Sequence, residues 1–211
     1  MSTPSMNYLA KIEIDYELAY KQGILNSYAW HQKAWKAFPG RDGEARNFLT
    51  RVDEIDGGFR LLLLAPVQPT RPSWCPENGW ACKEVPNAFF QRSSYRFSLV
   101  ANPTVKKRAR ANGEPLKNSR RAPITSRKEL LAWLERKGSQ HGFEVDCRTL
   151  QTLPRPRQIF LKKGTAGLHA AVEFRGTLQV RQPEAFLQAA RQGIGPAKAF
   201  GFGMLCLVPT A

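Results

Sequence analysis

The chain has 211 residues, 42% hydrophobic and 23% charged, enough to bury one larger core or two small ones. Thirty-two Lys and Arg against 17 Asp and Glu leave +15 at pH 7, an excess that attracts polyanions, either nucleic acid or an anionic membrane. The longest apolar run, residues 61–67, is far short of the ~20 residues that span a bilayer, and MSTPSMNYLAKIEID shows no apolar stretch behind a basic start, so a cytoplasmic protein without a membrane partner is expected.

In chain order, residues 9–14 alternate as a strand with Ala10, Ile12 and Ile14 on one face. Asn26 or Ser27 can cap a helix that runs to about Phe38, where Pro39-Gly40 stops it. Residues 48–52 and 59–65 flank Asp56-Gly57-Gly58, a hairpin signal. The Pro- and Trp-rich segment 66–87 has no clear period and leaves room for a short helix. Residues 95–100 read as a strand, and Thr125 or Ser126 caps a helix to about Lys137, with Glu129 placed for a capping box. Residues 143–150 and 170–180 read as strands joined by a basic loop. Pro183 opens a helix that ends at Gly193, and 204–208 form the last strand. The second half is β-α-β-β-α-β, the ferredoxin-like order, and the first half is a looser copy. The expected fold is therefore α+β, two tandem ferredoxin-like (RRM-like) domains over residues 1–91 and 92–211.

The positive charge is concentrated. Lys106, Lys107, Arg108, Arg110, Lys117, Arg120, Arg121, Arg127 and Lys128 face one acid, Glu114, within residues 106–128. A second cluster, Arg155, Arg157, Lys162 and Lys163, lies in PRPRQIFLKKGTAG. Each alone would read as a solvated loop; two on so basic a chain point to nucleic acid. Asp53, Glu54 and Asp56 read as solvated acids at a hairpin turn, so no carboxylate cluster for a two-metal nuclease is expected. Cys75, Cys82, Cys147 and Cys206 form no C-x-x-C pair and read as buried reduced thiols. No cofactor is implied.

The stretch GIGPAKAFGFG, residues 193–203, holds Gly193, Gly195, Gly201, Gly203 and Lys198. It follows a helix and leads into a strand, which excludes the dinucleotide fingerprint. A glycine-rich turn with exposed amides can line a phosphate backbone beside a lysine. A tight turn would need only one or two of these glycines.

This stretch resembles the glycine-rich loop of the CRISPR repeat-processing endoribonucleases, and more specifically of the CasE branch, a subunit of the E-subtype Cascade complex. YAWH (28–31) with Phe38-Pro39 behind it, RFSLVANP (96–103), AWLER (132–136) and FRGTL (174–178) agree with it in the family's order. Residues 66–90 and 105–122 match poorly. The resemblance implies two ferredoxin-like domains and cleavage of CRISPR precursor RNA at the 3′ base of each repeat hairpin. It also implies a guide RNA retained with other Cascade subunits. It places a histidine and a tyrosine at the centre of the chemistry, here His31 and Tyr28, with Lys36 a candidate third member. It further implies that an extended hairpin at 155–163 lies along the RNA groove.

Pattern alone reads His31 differently. On a helical wheel it falls among Leu25, Tyr28, Trp35 and Phe38, as a core histidine would. Its place in the first turns of the helix argues for function, because that end is partly positive and offers amides to a phosphate. RNA brings its own nucleophile, the 2′-hydroxyl, so an enzyme need only align it, move protons and stabilise charge. The expected products are a 2′,3′-cyclic phosphate and a 5′-hydroxyl, without a metal. The rivals are a non-catalytic RRM-like RNA-binding protein and a DNA-binding regulator. The second would show a helix-turn-helix or basic helix, and neither is legible.

Overall fold

Strand β1 (Met6–Asp15) keeps the expected alternation, with Ala10, Ile12 and Ile14 buried on one face. In this computed structural model, residues 6–41, 43–107, 110–111, 114–115, 120–162 and 165–210 are described, with side chains described outside 106–120 and 159–166. A helix not expected from the sequence, α1 (Tyr16–Lys21), begins at once because the Asp15 carboxylate accepts from the Leu18 N–H at 2.7 Å. Helix α2 (Ser27–Trp35) is capped by Asn26, and β2 (Leu49–Ile55) and β3 (Gly58–Ala65) form the expected hairpin. Gly57, at φ +74°, makes its turn, and a Cβ on Gly58 would stand 2.1 Å from the Ile14 carbonyl of β1.

The segment 66–87 contains a strand. After a 3-10 turn at Glu77–Gly79, β4 (Trp80–Pro86) pairs antiparallel with β1. Most of its residues are solvent-exposed or only half-buried, so it carries no apolar alternation to betray it. No α-helix occupies residues 66–79, where a full copy of the second half would have one. The first sheet runs β2-β3-β1-β4.

The second sheet starts with β5 (Ser94–Ala101). The basic stretch after it forms short ladders, β6 (Thr104–Lys107) with β9 (Arg120–Pro123) and β7 (Arg110–Ala111) with β8 (Glu114–Pro115), where a loop was expected. Helix α3 (Arg127–Gln140) begins at Ser126, whose hydroxyl accepts from the Glu129 N–H, and runs about a turn past Lys137. Residues 143–150 are not one strand. β10 (Phe143–Val145) stops at a turn where the Asp146 carboxylate accepts from the Arg148 N–H. The supposed basic loop is itself a strand, β11 (Gln151–Lys162), paired along β12 (Thr165–Val180) with an irregularity between Arg155 and Gln158. Helix α4 (Pro183–Gln192) and β13 (Leu205–Pro209) complete a sheet ordered β10-β12-β5-β13.

Both sheets bury one face under helices. Trp30 and Ala34 of α2 pack with Ile12, Leu61 and Leu63, and Trp133, Leu134 and Phe186 of α3 and α4 pack with Tyr95, Leu99 and Phe174. Leu9, Leu62 and Leu64 point the other way and meet Cys206 of the second sheet and Met204 just before it.

A charged knot joins the sheets beside that apolar contact. Arg51 on β2 is 6% exposed and Glu173 on β12 is 2% exposed. Arg51 donates to Asp53 (2.7 and 3.1 Å), Ser98 (2.6 Å) and Glu173 (3.0 Å). Glu173 also accepts from Ser98 at 2.6 Å, Arg175 at 2.7 and 3.1 Å and Arg155 at 3.0 Å. Arg155, at the root of β11, reaches Asp53 at 2.7 Å as well. Asp53 is thus part of the joint and not the solvated acid expected from its place near a turn. Burial opposes ionisation of Glu173, but hydrogen bonds from Arg175, Ser98 and Arg155, with the Arg51 charge, hold its carboxyl far below the usual carboxylate range.

Replacing Glu173 by Gln should therefore cost on the order of 3 kcal/mol at pH 7, since it leaves Arg51, Arg155 and Arg175 gathered around a neutral amide with Asp53 as the one carboxylate left among them. For a chain of this size that lowers Tm by roughly 6–12 °C. A carboxyl lowered on folding stabilises fully above its unfolded value near ~4.3, and that stabilisation is lost as pH falls from there through the folded value. Glu173→Gln and parent melting temperatures should converge below about pH 4; a gap constant from pH 7 to pH 2 would contradict this account.

Candidate RNA-cleavage site

Helix α2 is where the sequence placed the chemistry. The Asn26 carboxamide accepts from the N–H groups of Tyr28 and Ala29, both at 3.0 Å. Two of the amides expected to be open to a phosphate are therefore occupied, and the helix dipole is what this end still offers an anion.

The core face of α2 carries Trp30 and Ala34, with Ala37 and Phe38 just beyond the helix, while Leu25 is 70% exposed. The core face is thus rotated away from Leu25 and Tyr28, and His31 lies at its border, half-buried. Its Nε2 accepts from the Trp35 indole N–H at 3.3 Å. Because an indole N–H can only donate, the ring proton of the neutral imidazole belongs on Nδ1. The ring stacks on Phe48 (centroids 6.5 Å apart, 29°), and Tyr28, one turn back on the same face, lies 6.5 Å away. Lys36 is the exposed C-cap residue, about 140° around the helix from His31. Tyr28 and His31 share a face; Lys36 does not.

The glycine-rich loop meets this helix. Its 3-10 turn, Lys198–Phe200, contacts both α2 and β2, and α2 also touches β11. The loop closes on itself: Ile194 N–H bonds to Gly203 O and Gly203 N–H to Val100 O, each at 2.8 Å. Gly203 sits at φ +87°, and a Cβ there would stand 2.6 Å from the Ile194 carbonyl. A Cβ on Gly193 would strike Leu49, and one on Gly195 would crowd Trp133. Gly193, Gly201 and Gly203 are buried. What approaches Gly193, Gly195 and Gly203 so closely is the protein itself, whereas a Cβ on Gly201 would meet nothing nearer than 3.9 Å. Residues 195–200 are half-buried, and among them Lys198 has its pKa lowered by burial and by Arg46 and Lys137.

The remaining cations separate into groups. Arg155 is paired with Asp53 and Glu173 at the joint between the sheets. Arg157 and Arg121 are exposed. Lys106, Lys107, Arg110, Arg120 and Lys162 lie on strands, with Lys106 opposite Arg121 and Lys107 opposite Arg120, and Arg108 and Lys163 fall outside the described residues.

Sequence reasoning passed over several neighbours. Phe48 and Trp35 orient His31, and His169 on β12 packs against Phe200 and Phe202 while its Nδ1 lies 2.9 Å from the Asn102 amide. Burial lowers the His169 pKa. Glu173 had a readable signal, a carboxylate inside the apolar run Ala170-Ala171-Val172-Glu173-Phe174, where an ion needs partners. Of the cysteines, only Cys75 is buried; Cys147 is exposed, and all four are free.

No helix of the described residues is long and apolar enough to cross a membrane. The profile of the family described as CRISPR associated protein matches residues 7–209. The chain is 32% identical over 189 residues to the CRISPR system Cascade subunit CasE of Escherichia coli, covering 86% of this chain and 92% of that protein. It is 30% identical over 206 residues to the CRISPR-associated endoribonuclease Cse3 of Thermus thermophilus, covering 90% and 94%. A solved structure of the CRISPR endoribonuclease Cse3 bound to 19 nt RNA superposes with a TM-score of 0.74 at 27% identity, over 98% of this chain and all of that one. The chain belongs to the CRISPR-associated protein family, on its CasE/Cse3 branch.

Proposed function

We propose that this chain is an endoribonuclease that cuts CRISPR precursor RNA at the 3′ base of each repeat hairpin and keeps the guide RNA as a Cascade subunit. The observation that carries the reading is the meeting of three elements. Helix α2, bearing Tyr28 and His31, packs at once against β11 and against the turn of the glycine-rich loop. An RNA stem laid along β11–β12 and β6–β9 would end beside His31. The relatives' names, a Cascade subunit and an endoribonuclease, and the RNA in the related structure agree with this.

The chemistry needs no imported nucleophile. The 2′-hydroxyl beside the scissile phosphate attacks the phosphorus in line, the P–O5′ bond breaks, and a 2′,3′-cyclic phosphate and a 5′-hydroxyl result. His31 Nε2, released from Trp35, exchanges the proton, and Tyr28 orients the reacting hydroxyl. Lys36 swings its long side chain toward the phosphorane charge. The carboxylates that could resemble a metal pair, Asp53 and Glu173, are held by arginines. In this reading the cut is metal-independent, and the protein acts in the cytoplasm, where such transcripts are made.

The same proposal covers the architecture. The first sheet carries its strands in the order second-third-first-fourth, and the second does the same when β10 and β11, both paired to the edge of β12 away from β5, are counted as one interrupted strand; this supports two tandem ferredoxin-like domains with a boundary near Gln91, between β4 and β5. One observation favours the rival, a non-catalytic RRM-like binder: His31 Nε2 already has a partner in Trp35.

Two experiments separate these readings. His31→Ala should bind the repeat hairpin almost as the parent does and cut it ~10²- to 10⁴-fold more slowly, with Tm little changed, because the ring is only half-buried. A substrate with one 2′-deoxy sugar 5′ of the scissile phosphate should bind normally and resist the parent; cutting at the parent's rate would refute internal attack. In a second experiment, cleavage should proceed at the same rate in EDTA with the hairpin kept folded by monovalent salt. A cut that stops in EDTA and returns with magnesium would overturn metal independence.

A further inference from the structure

Between the last turn of α3, helix α4 and the glycine-rich loop lies a cavity of about 370 Å³. Its polar lining is Arg121, Lys137, His141, Lys198, Gln188 and Gln192; among the described residues that line it there is no carboxylate. Lys137 and His141 stand at the C-terminal end of α3, where the helix dipole favours a cation. That accounts for those two. It does not account for Arg121 and Lys198, which other elements bring to the same hollow.

The cluster is held at an electrostatic cost. Burial lowers the pKa of Lys137, His141 and Lys198, and neighbouring cations add to it: Arg136 on Lys137, Lys137 and Lys198 on His141, Arg46 and Lys137 on Lys198. An anion in the cavity would relieve all of these repulsions together. The cations also continue toward the cleavage site. Beyond Lys198 comes Arg46, whose guanidinium lies 5.8 Å over the Phe48 ring, and Phe48 stacks on His31.

We propose that this cavity is a phosphate pocket for one backbone phosphate of the single-stranded RNA flanking the repeat hairpin. The inference rests on the reading of the chain as a repeat-cutting enzyme. A rigid A-form stem presents its phosphates on a convex surface and cannot enter a recess, whereas a flexible strand can turn one phosphate inward. The cationic path begins at His31, where the stem ends and the strand becomes single. Arg121, Lys137 and Lys198 supply the charge, and the His141 ring N–H and the amides of Gln188 and Gln192 supply neutral donors.

The test compares two RNAs, both with the 2′-deoxy block: the repeat hairpin with single-stranded flanks and the same hairpin trimmed to its stem. The parent should favour the flanked RNA by roughly three- to tenfold, as one or two charge-assisted contacts would give. Its salt dependence should be steeper by about 0.7 for the extra phosphate. In the double variant Lys137→Gln, His141→Gln that preference should fall close to one. No preference in the parent, or one unchanged in the variant, overturns the pocket while leaving hairpin binding intact. Failure to bind either RNA overturns the parent reading instead. Should the variant not fold, the parent answers alone by NMR: the His141 imidazole should titrate at higher pH with flanked RNA bound and not with trimmed RNA. A His141 response to millimolar inorganic phosphate without any response to flanked RNA would assign the pocket to free phosphate and refute the proposal.

Discussion

The arrangement depends on one buried ion pair, Arg51 with Glu173. Neither charge could be buried alone, since each would lose its hydration without recompense. The cost is met by number: Ser98, Asp53, Arg155 and Arg175 complete a set in which both Glu173 oxygens and all three Arg51 nitrogens have partners. Because Arg51 and Asp53 come from one sheet and Glu173, Ser98 and Arg155 from the other, satisfying the charges also sets the register between sheets. Beside it, Leu9, Leu62 and Leu64 meet Met204 and Cys206 in a contact that supplies area and little direction. The ions supply the direction.

That register decides what stands near His31. Fixing β2 against β12 brings α2 against β11 and against the turn at Lys198–Phe200. Arg155 belongs to both systems, since it lies on the basic strand and spends its guanidinium on Asp53 and Glu173. The strand that carries Arg155 is thereby fixed against the helix that carries the histidine.

The chain's excess charge therefore has two uses. Arg51 and Arg155 are neutralised inside and act as structural cations. Lys137, His141 and Lys198 crowd one another without an acid among them, an arrangement that an anion would stabilise. Formal charge counts both groups alike, and only their surroundings tell them apart.

Much was legible in the residues themselves. The alternation of Ala10, Ile12 and Ile14, the Asn26 and Ser126 caps, the turn at Gly57 and the Pro183 start are local rules, each satisfied within a few residues of chain. The motifs around Tyr28, His31 and residues 193–203 were enough to point to the family. Less local features escaped. β4 hid because an exposed edge strand need not alternate, and β11 read as a loop because its prolines and cations break the apolar pattern that pairing with β12 makes unnecessary. The glycines of 193–203 announced close approach, but only the fold showed that the approaching groups are Ile194, Leu49 and Trp133. His31 left the core for the same reason: which arc of α2 faces the sheet is set by Trp30 and Ala34 packing on Ile12 and Leu61, contacts far apart in the chain. The sequence by itself determined the local elements and the kinds of chemistry carried. The tertiary structure decided which charges are spent on holding the sheets together and which remain for RNA, because desolvation and pairing depend on neighbours that no stretch of chain contains.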